Sequence, residues 1–225
     1  MVLKGAALIP LCYCDSGLRP MQDFDLMVPA SKVELAMELL ERAGWRSRFG
    51  YPEKRISIRH STPYRNNKAQ EIDLHWHVLG ECWNFNRDEI FWKTSVPLTI
   101  VGQQTRTLDP TNQLFHICSH DVGWNEVPPI RWIVDALIVL RVFSSEIDWI
   151  RLPDVAKTYH LNLPLHNALS YLQRNFQVSI PTEALGQPQE AVKEIDSFGY
   201  RLKTEPIAQP TTTRFCERCD IDIFG

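Results

Sequence analysis

Two segments of this chain alternate apolar residues with acids at a period of two, and together they restrict the fold more than any other feature. In Asp23-Phe24-Asp25-Leu26-Met27-Val28 a strand turns Phe24, Leu26 and Val28 to one face and both aspartates to the other. In Glu71-Ile72-Asp73-Leu74-His75-Trp76-His77-Val78 the same alternation puts Ile72, Leu74, Trp76 and Val78 on one face and Glu71, Asp73, His75 and His77 on the other. Pairing the two strands gathers Asp23, Asp25 and Asp73. Packed carboxylates repel one another unless cations neutralise them, and hard divalent ions such as Mg²⁺ or Mn²⁺ favour such oxygen ligands. These three acids are therefore the candidate catalytic and metal-binding residues. The plain alternative is a solvated sheet face, which antiparallel strands often leave wet.

The surrounding sequence reads as α+β. Met1-Val2-Leu3 is the stub of a strand and Gly5 to Leu11 a short helix. Ser31 to Ala43 is a helix, with Ser31 as N-cap, Glu34 in capping-box position and a stop at Gly44. Strands are expected over Trp45 to Phe49 and Arg55 to His60, then a polar loop from Pro63 to Lys68 before the Glu71 strand. Two short strands flank Val101-Gly102-Gln103-Gln104. Asp109-Pro110 is an N-cap followed by proline at the first helical position. Helices are then expected over Thr111 to Val122, Pro129 to Phe143, Ile147 to Tyr159 and Leu163 to Phe176, with short connections suited to a packed bundle. A last helix is expected near Glu190 to Phe198. The division is a small mixed β-sheet core with backing helices over residues 1–108, a mainly helical region over 109–180, and a partly irregular extension over 181–225.

The ordered segments Leu3-Lys4-Gly5-Ala6-Ala7-Leu8, Leu18-Arg19-Pro20-Met21-Gln22-Asp23-Phe24-Asp25-Leu26-Met27-Val28 and Glu71-Ile72-Asp73-Leu74-His75-Trp76 resemble the uncharacterised bacterial nucleotidyltransferases of the polymerase-beta-like superfamily. Asp109 to His116 with His120, and Arg131-Trp132-Ile133-Val134-Asp135, resemble that family's helical half, so the likeness spans about residues 2 to 180. It implies transfer of a nucleotide from a nucleoside triphosphate, with Mg²⁺ or Mn²⁺, to an acceptor it does not name: a small molecule, sugar, peptide, protein or RNA end. It further implies that Asp23 and Asp25 hold the metal bridging the triphosphate, while Asp73 completes a second metal position and helps activate the acceptor. In the superfamily a glycine followed by serine opens the helix that binds the triphosphate. Here Lys4-Gly5-Ala6 stands in that place, behind a clipped first strand, and Lys4 and Arg19 are candidate phosphate cations.

His116 and His120 share one helix face, as do Arg131 and Asp135. Arg131 and Asp135 either pair with each other or, with His120, line a cleft beside nucleotide or acceptor, because a charge buried alone is strongly unfavourable. The tryptophans Trp76, Trp92 and Trp132 read as packing residues. His75 and His77 support a different reading, a Zn²⁺ or Mn²⁺ phosphoester hydrolase that uses the same acids. A third is a degenerate member that binds nucleotide or a partner without turnover.

A net charge of −3 supplies no basic field for a long nucleic-acid backbone, so no extended nucleic-acid surface is expected. No apolar run approaches the roughly 18 to 20 residues that cross a bilayer, and a cytoplasmic location is expected. The six cysteines follow no secreted-framework spacing and are read as reduced; Cys216-Glu217-Arg218-Cys219 offers half a zinc site or a redox pair.

Overall fold

The computed structural model describes residues 1–50, 52–80, 88–120 and 130–185. Met1 to Leu3 run beside the first acidic strand, with Leu3 N–H donating to Asp25 O and Met27 N–H to Met1 O. The expected strand stub is thus a single bridge, Val2 to Leu26. Helix α1 (Lys4–Leu8) follows and continues into a wider π-type turn over Ile9–Tyr13. Strand β1 is Phe24–Met27. A 3-10 turn over Ala30–Lys32 leads into α2 (Val33–Arg42), so Ser31 lies in that turn and does not cap the helix. Gly44, with φ +86°, ends the helix as expected, because a left-handed residue there costs glycine little.

Strand β2 is only Arg46–Ser47. The expected strand over Arg55 to His60 is absent: Pro52–Arg55 forms a 3-10 turn, and the strand β3 is Ser61–Arg65, inside the segment read as a loop. Strand β4 is Glu71–His75. The four form one mixed sheet in the order β1-β4-β3-β2, with β1 parallel to β4 and the other pairs antiparallel. A parallel pair needs a long crossover, and α2 lies in the chain segment between β1 and β4.

Helix α3 (Glu89–Lys93) is an addition to the expected elements. Strands β5 (Val96–Ile100) and β6 (Gln103–Thr107) form the expected hairpin, turning through Val101 and Gly102, both at positive φ. The Asp109 side chain accepts from the Thr111 and Asn112 backbone N–H groups and caps α4 (Pro110–Ser119) as expected. Helices α5 (Arg131–Val142), α6 (Arg151–Thr158), α7 (Asn162–Phe176) and the short α8 (Thr182–Leu185) complete the described chain. The expected ends at Val122 and Pro129, the helix near Glu190 and the Cys216–Cys219 pair lie outside the described residues. No helix among the described residues is long and apolar enough to cross a membrane. Cys12, Cys14 and Cys118 are free thiols.

The alternation sorts the sheet faces. Leu74, Trp76 and Tyr64 pack with Val33 and Met37 of α2, joined by Leu26, Val28 and Ile72. The opposite face carries Asp25, Met27, Asp73 and His75, and it is not wet: Asp25 is 4% exposed and His75 0%. Met27 belongs to the large cluster that also holds Leu3 and Leu8 of the N-terminal segment and the apolar faces of α4 to α7. Asp25 and His75 are thus enclosed, with Asp73 half-buried beside them, where electrostatic interactions are stronger than in water.

Candidate active site

Asp25 and Asp73 are direct partners in the parallel pairing of β1 and β4. Neighbouring strands lie about 4.8 Å apart, so the two side chains emerge side by side. His75 sits two residues after Asp73 on the same face, with Nε2 3.0 Å from Asp25 Oδ1 and 3.1 Å from Asp73 Oδ2. Metal-binding donor atoms of these three residues all lie within 4.8 Å of one another. Ser61 Oγ, from β3, donates to Asp73 Oδ2 at 3.1 Å. Asp73 Oδ1 is buried without a hydrogen-bond partner. Asp23 precedes β1 and is exposed, outside this close cluster.

Electrostatics separate the acids. Burial alone would raise the Asp25 pKa, but the His75 hydrogen bond and the Lys4 charge outweigh it and hold the carboxyl well below its ordinary range. Asp73 is lowered in the same way, burial again losing to His75. The two carboxylates in turn raise His75 against the effect of its burial. Asp23 moves the other way, raised by desolvation and by the Asp25 charge.

Lys4 contacts this centre directly, its Nζ 2.7 Å from Asp25 Oδ1. Its backbone is left-handed at φ +49°, a conformation that costs a non-glycine residue about 1 to 2 kcal/mol. Gly5 follows, and its lack of a side chain has a packing cause. A Cβ there would stand 2.6 Å from Met21 Sδ and 2.9 Å from Arg19 Nη1.

Arg19 and Asp135 form a two-pronged buried ion pair, Nε to Oδ1 at 2.8 Å and Nη2 to Oδ2 at 2.9 Å. The Tyr13 hydroxyl donates to the same Asp135 Oδ1 at 2.6 Å. Of the two readings of Arg131 and Asp135, a pair with each other or a shared cleft lining, the first does not hold, because Asp135 turns inward to Arg19 and Arg131 is exposed at the start of α5. Arg19 is accordingly held by a carboxylate from another element, a state that leaves its charge already paired. His77 also leaves the acidic cluster. The strand ends at His75, and the His77 Nδ1 is bonded to Asp88, which also accepts from Val78 N–H.

A cleft of about 220 Å³ opens between the sheet and the helices. Lys4, Gly5, Arg19, Asp23, Asp25, His120, Arg131 and Asp135 all line it, along with Met21, His116 and Trp132; Asp73 lies beside Asp25, outside the lining. The His116 and His120 rings meet edge to face at 4.9 Å. His116 is 2% exposed, its Nε2 has no partner, and burial followed by the His120 charge lowers its pKa well below 6.5. It is a neutral hydrogen-bonding group. His60, whose ring lies 5.6 Å from that of His75, is lowered to about 3, chiefly by burial. Neither His60 nor Tyr13 carries a motif that flags it, whereas the same-face position of His75 is visible in the alternation.

Sequence comparison adds identity to this geometry. No curated protein matches the chain. Among solved structures, an antigenic nucleotidyltransferase-like protein from Paracoccidioides brasiliensis is similar at 17% identity over 82% of this chain and 86% of that one, with a TM-score of 0.48. The profile of the uncharacterised nucleotidyltransferase family matches residues 1–177, and the chain belongs to that family.

Proposed function

We propose that the protein is a metal-dependent nucleotidyltransferase that moves a nucleoside monophosphate from a nucleoside triphosphate to a hydroxyl-bearing acceptor. The observation that carries this reading is the in-register Asp25–Asp73 pair beside a cleft that also takes Lys4, Arg131 and Asp23. The residues fit a hard divalent cation. Asp73 Oδ1 is a buried oxygen with no partner, and both carboxylates are held ionised, the form that ligates metal. Asp25 and Asp73 would hold Mg²⁺ or Mn²⁺, and Asp23, in the lining of the adjoining cleft, would add a further carboxylate for it. When bound, the cation neutralises the triphosphate and the charge that develops on the attacking and leaving oxygens.

The remaining work falls to the chain. Lys4, whose Nζ stands 2.7 Å from Asp25 Oδ1 at the cleft, and Arg131 in the same lining would supply positive charge to the phosphates. The buried Arg19–Asp135 pair fixes one wall, and neutral His116 offers Nε2 to a polar group of the ligand. The acceptor hydroxyl oxygen attacks the α-phosphorus in line and forms the new P–O bond as the α–β phosphoanhydride bond breaks; its proton passes to solvent water, and pyrophosphate leaves.

A second reading draws on the Lys4 and His75 contacts to Asp25: a carboxylate already neutralised by internal cations suits a member that binds nucleotide without turnover. Titration calorimetry with each triphosphate, with and without Mg²⁺, separates the two. The transferase reading expects affinity to fall at least about tenfold on metal removal. Equal affinity with and without metal contradicts it and favours the binder. The hydrolase reading loses one of its two histidines to Asp88.

A further inference from the structure

We infer that His75 is a positioning residue, a buried N–H clamp that holds Asp25 and Asp73 at one spacing and in one orientation; this rests on the metal-dependent reading above. Two carboxylates at directly paired positions of neighbouring strands repel one another, and each has side-chain rotations that would carry it away. Nothing in the strand pairing itself prevents that. The imidazole does, because its Nε2 reaches an oxygen of each acid, at 3.0 and 3.1 Å.

The proton assignment follows from those distances. Without hydrogen on Nε2, three lone-pair atoms would face one another in a fully buried space, a costly arrangement. With hydrogen there, one donor is shared between two charged acceptors. The Ser61 hydroxyl adds a second hold on the same Asp73 oxygen. Asp73 Oδ2 is thereby turned to the protein, and Oδ1 is left without a protein partner. The clamp chooses which oxygen of Asp73 is offered to a cation. The competing assignment is His75 as a direct metal ligand through Nε2, since ligand atoms around one ion are also about 3 Å apart at bond lengths near 2.1 Å.

The full-length protein and Mn²⁺ alone distinguish them. Imidazole ¹⁵N shifts of the metal-free protein, assigned by comparison with His75→Gln, should show a protonated Nε2; an unprotonated Nε2 overturns the clamp. Pulsed EPR of the Mn²⁺-loaded wild type should lack the coupling of a directly bound nitrogen, and its presence overturns the clamp while leaving the transferase reading standing. His75→Leu should weaken Mn²⁺ binding by about 10- to 100-fold, the usual cost of losing a residue that orients a ligand. His75→Gln, which keeps an N–H at the end of its side chain, should recover part of that loss. Binding by His75→Leu as tight as wild type overturns the clamp; if that variant does not fold, the wild-type spectra and His75→Gln decide. A clamp upheld by these spectra together with no nucleotide transfer would sink the transferase reading alone.

Discussion

The Arg19 guanidinium and the Asp135 carboxylate join the loop entering β1 to helix α5, across 116 residues of sequence, with both side chains under 10% exposed. The pair ties the acid-bearing sheet to the helical half at the wall of the cleft. Removing one partner strands a buried charge, so Asp135→Leu should cost about 3 to 5 kcal/mol. The double change Arg19→Met with Asp135→Leu should cost less than Asp135→Leu alone. Urea unfolding of the three proteins checks this, and a double variant less stable than the single one would contradict it.

Gly5→Ala places a methyl group into Met21 and Arg19 Nη1. Met21 is 39% exposed and can yield, whereas Arg19 is held by Asp135. The substitution should cost about 1 to 3 kcal/mol, the range of overpacking, and should weaken triphosphate binding by disturbing the cleft wall. Adding Met21→Ala should recover part of the stability. Denaturation and calorimetry on both variants provide the comparison.

Stability should fall on acidification below pH 6.5. His60 is lowered to about 3, so between those values the unfolded chain binds a proton that the folded protein refuses, and stability rises with pH. His116 acts in the same direction. The depressed Asp25 and Asp73 add a loss at still lower pH, as they protonate in the fold. His75 is opposite: its raised pKa stabilises below 6.5, and that contribution fades as pH rises through the folded value. The His60 share amounts to at most about 1.4 kcal/mol per pH unit. His60→Gln should flatten the fall of the urea midpoint between about pH 6.5 and 4; an unchanged slope would contradict the assignment.

Local patterns account for what was legible from residues alone. Alternation in β1 and β4 identified the acid-bearing face and the face that meets α2, and Asp109-Pro110 marked the start of α4. Strand β3 was hidden by Pro63, which reads as a breaker. It is tolerated in the sheet, where its carbonyl accepts from Arg48 N–H while its missing donor leaves no gap in the two-residue β2 pairing. The partners of Asp135 and His77 were not legible, because spacing of three or four residues is the only pairing signal a helix displays. Asp135 found Arg19 and Tyr13 through tertiary packing, and His77 found Asp88 after the strand ended. The wet-face alternative holds for the exposed Asp23 but not for Asp25, which Lys4 at the start of α1 and His75 of β4 contact, a tertiary arrangement that strand alternation alone does not display.

The most direct measurement is nucleotide transfer itself. Wild-type protein with Mg²⁺ or Mn²⁺, each of the four triphosphates labelled at the α-phosphate, and a whole-cell acceptor pool should yield labelled acceptor and pyrophosphate. Asp25→Asn keeps the shape but removes the charge that ligates metal, and should lower the rate by about a hundredfold or more, the scale of lost electrostatic stabilisation. Folded wild-type protein that labels nothing with any triphosphate, or Asp25→Asn that labels as fast as wild type, would contradict the assignment of this centre as a nucleotidyltransferase site.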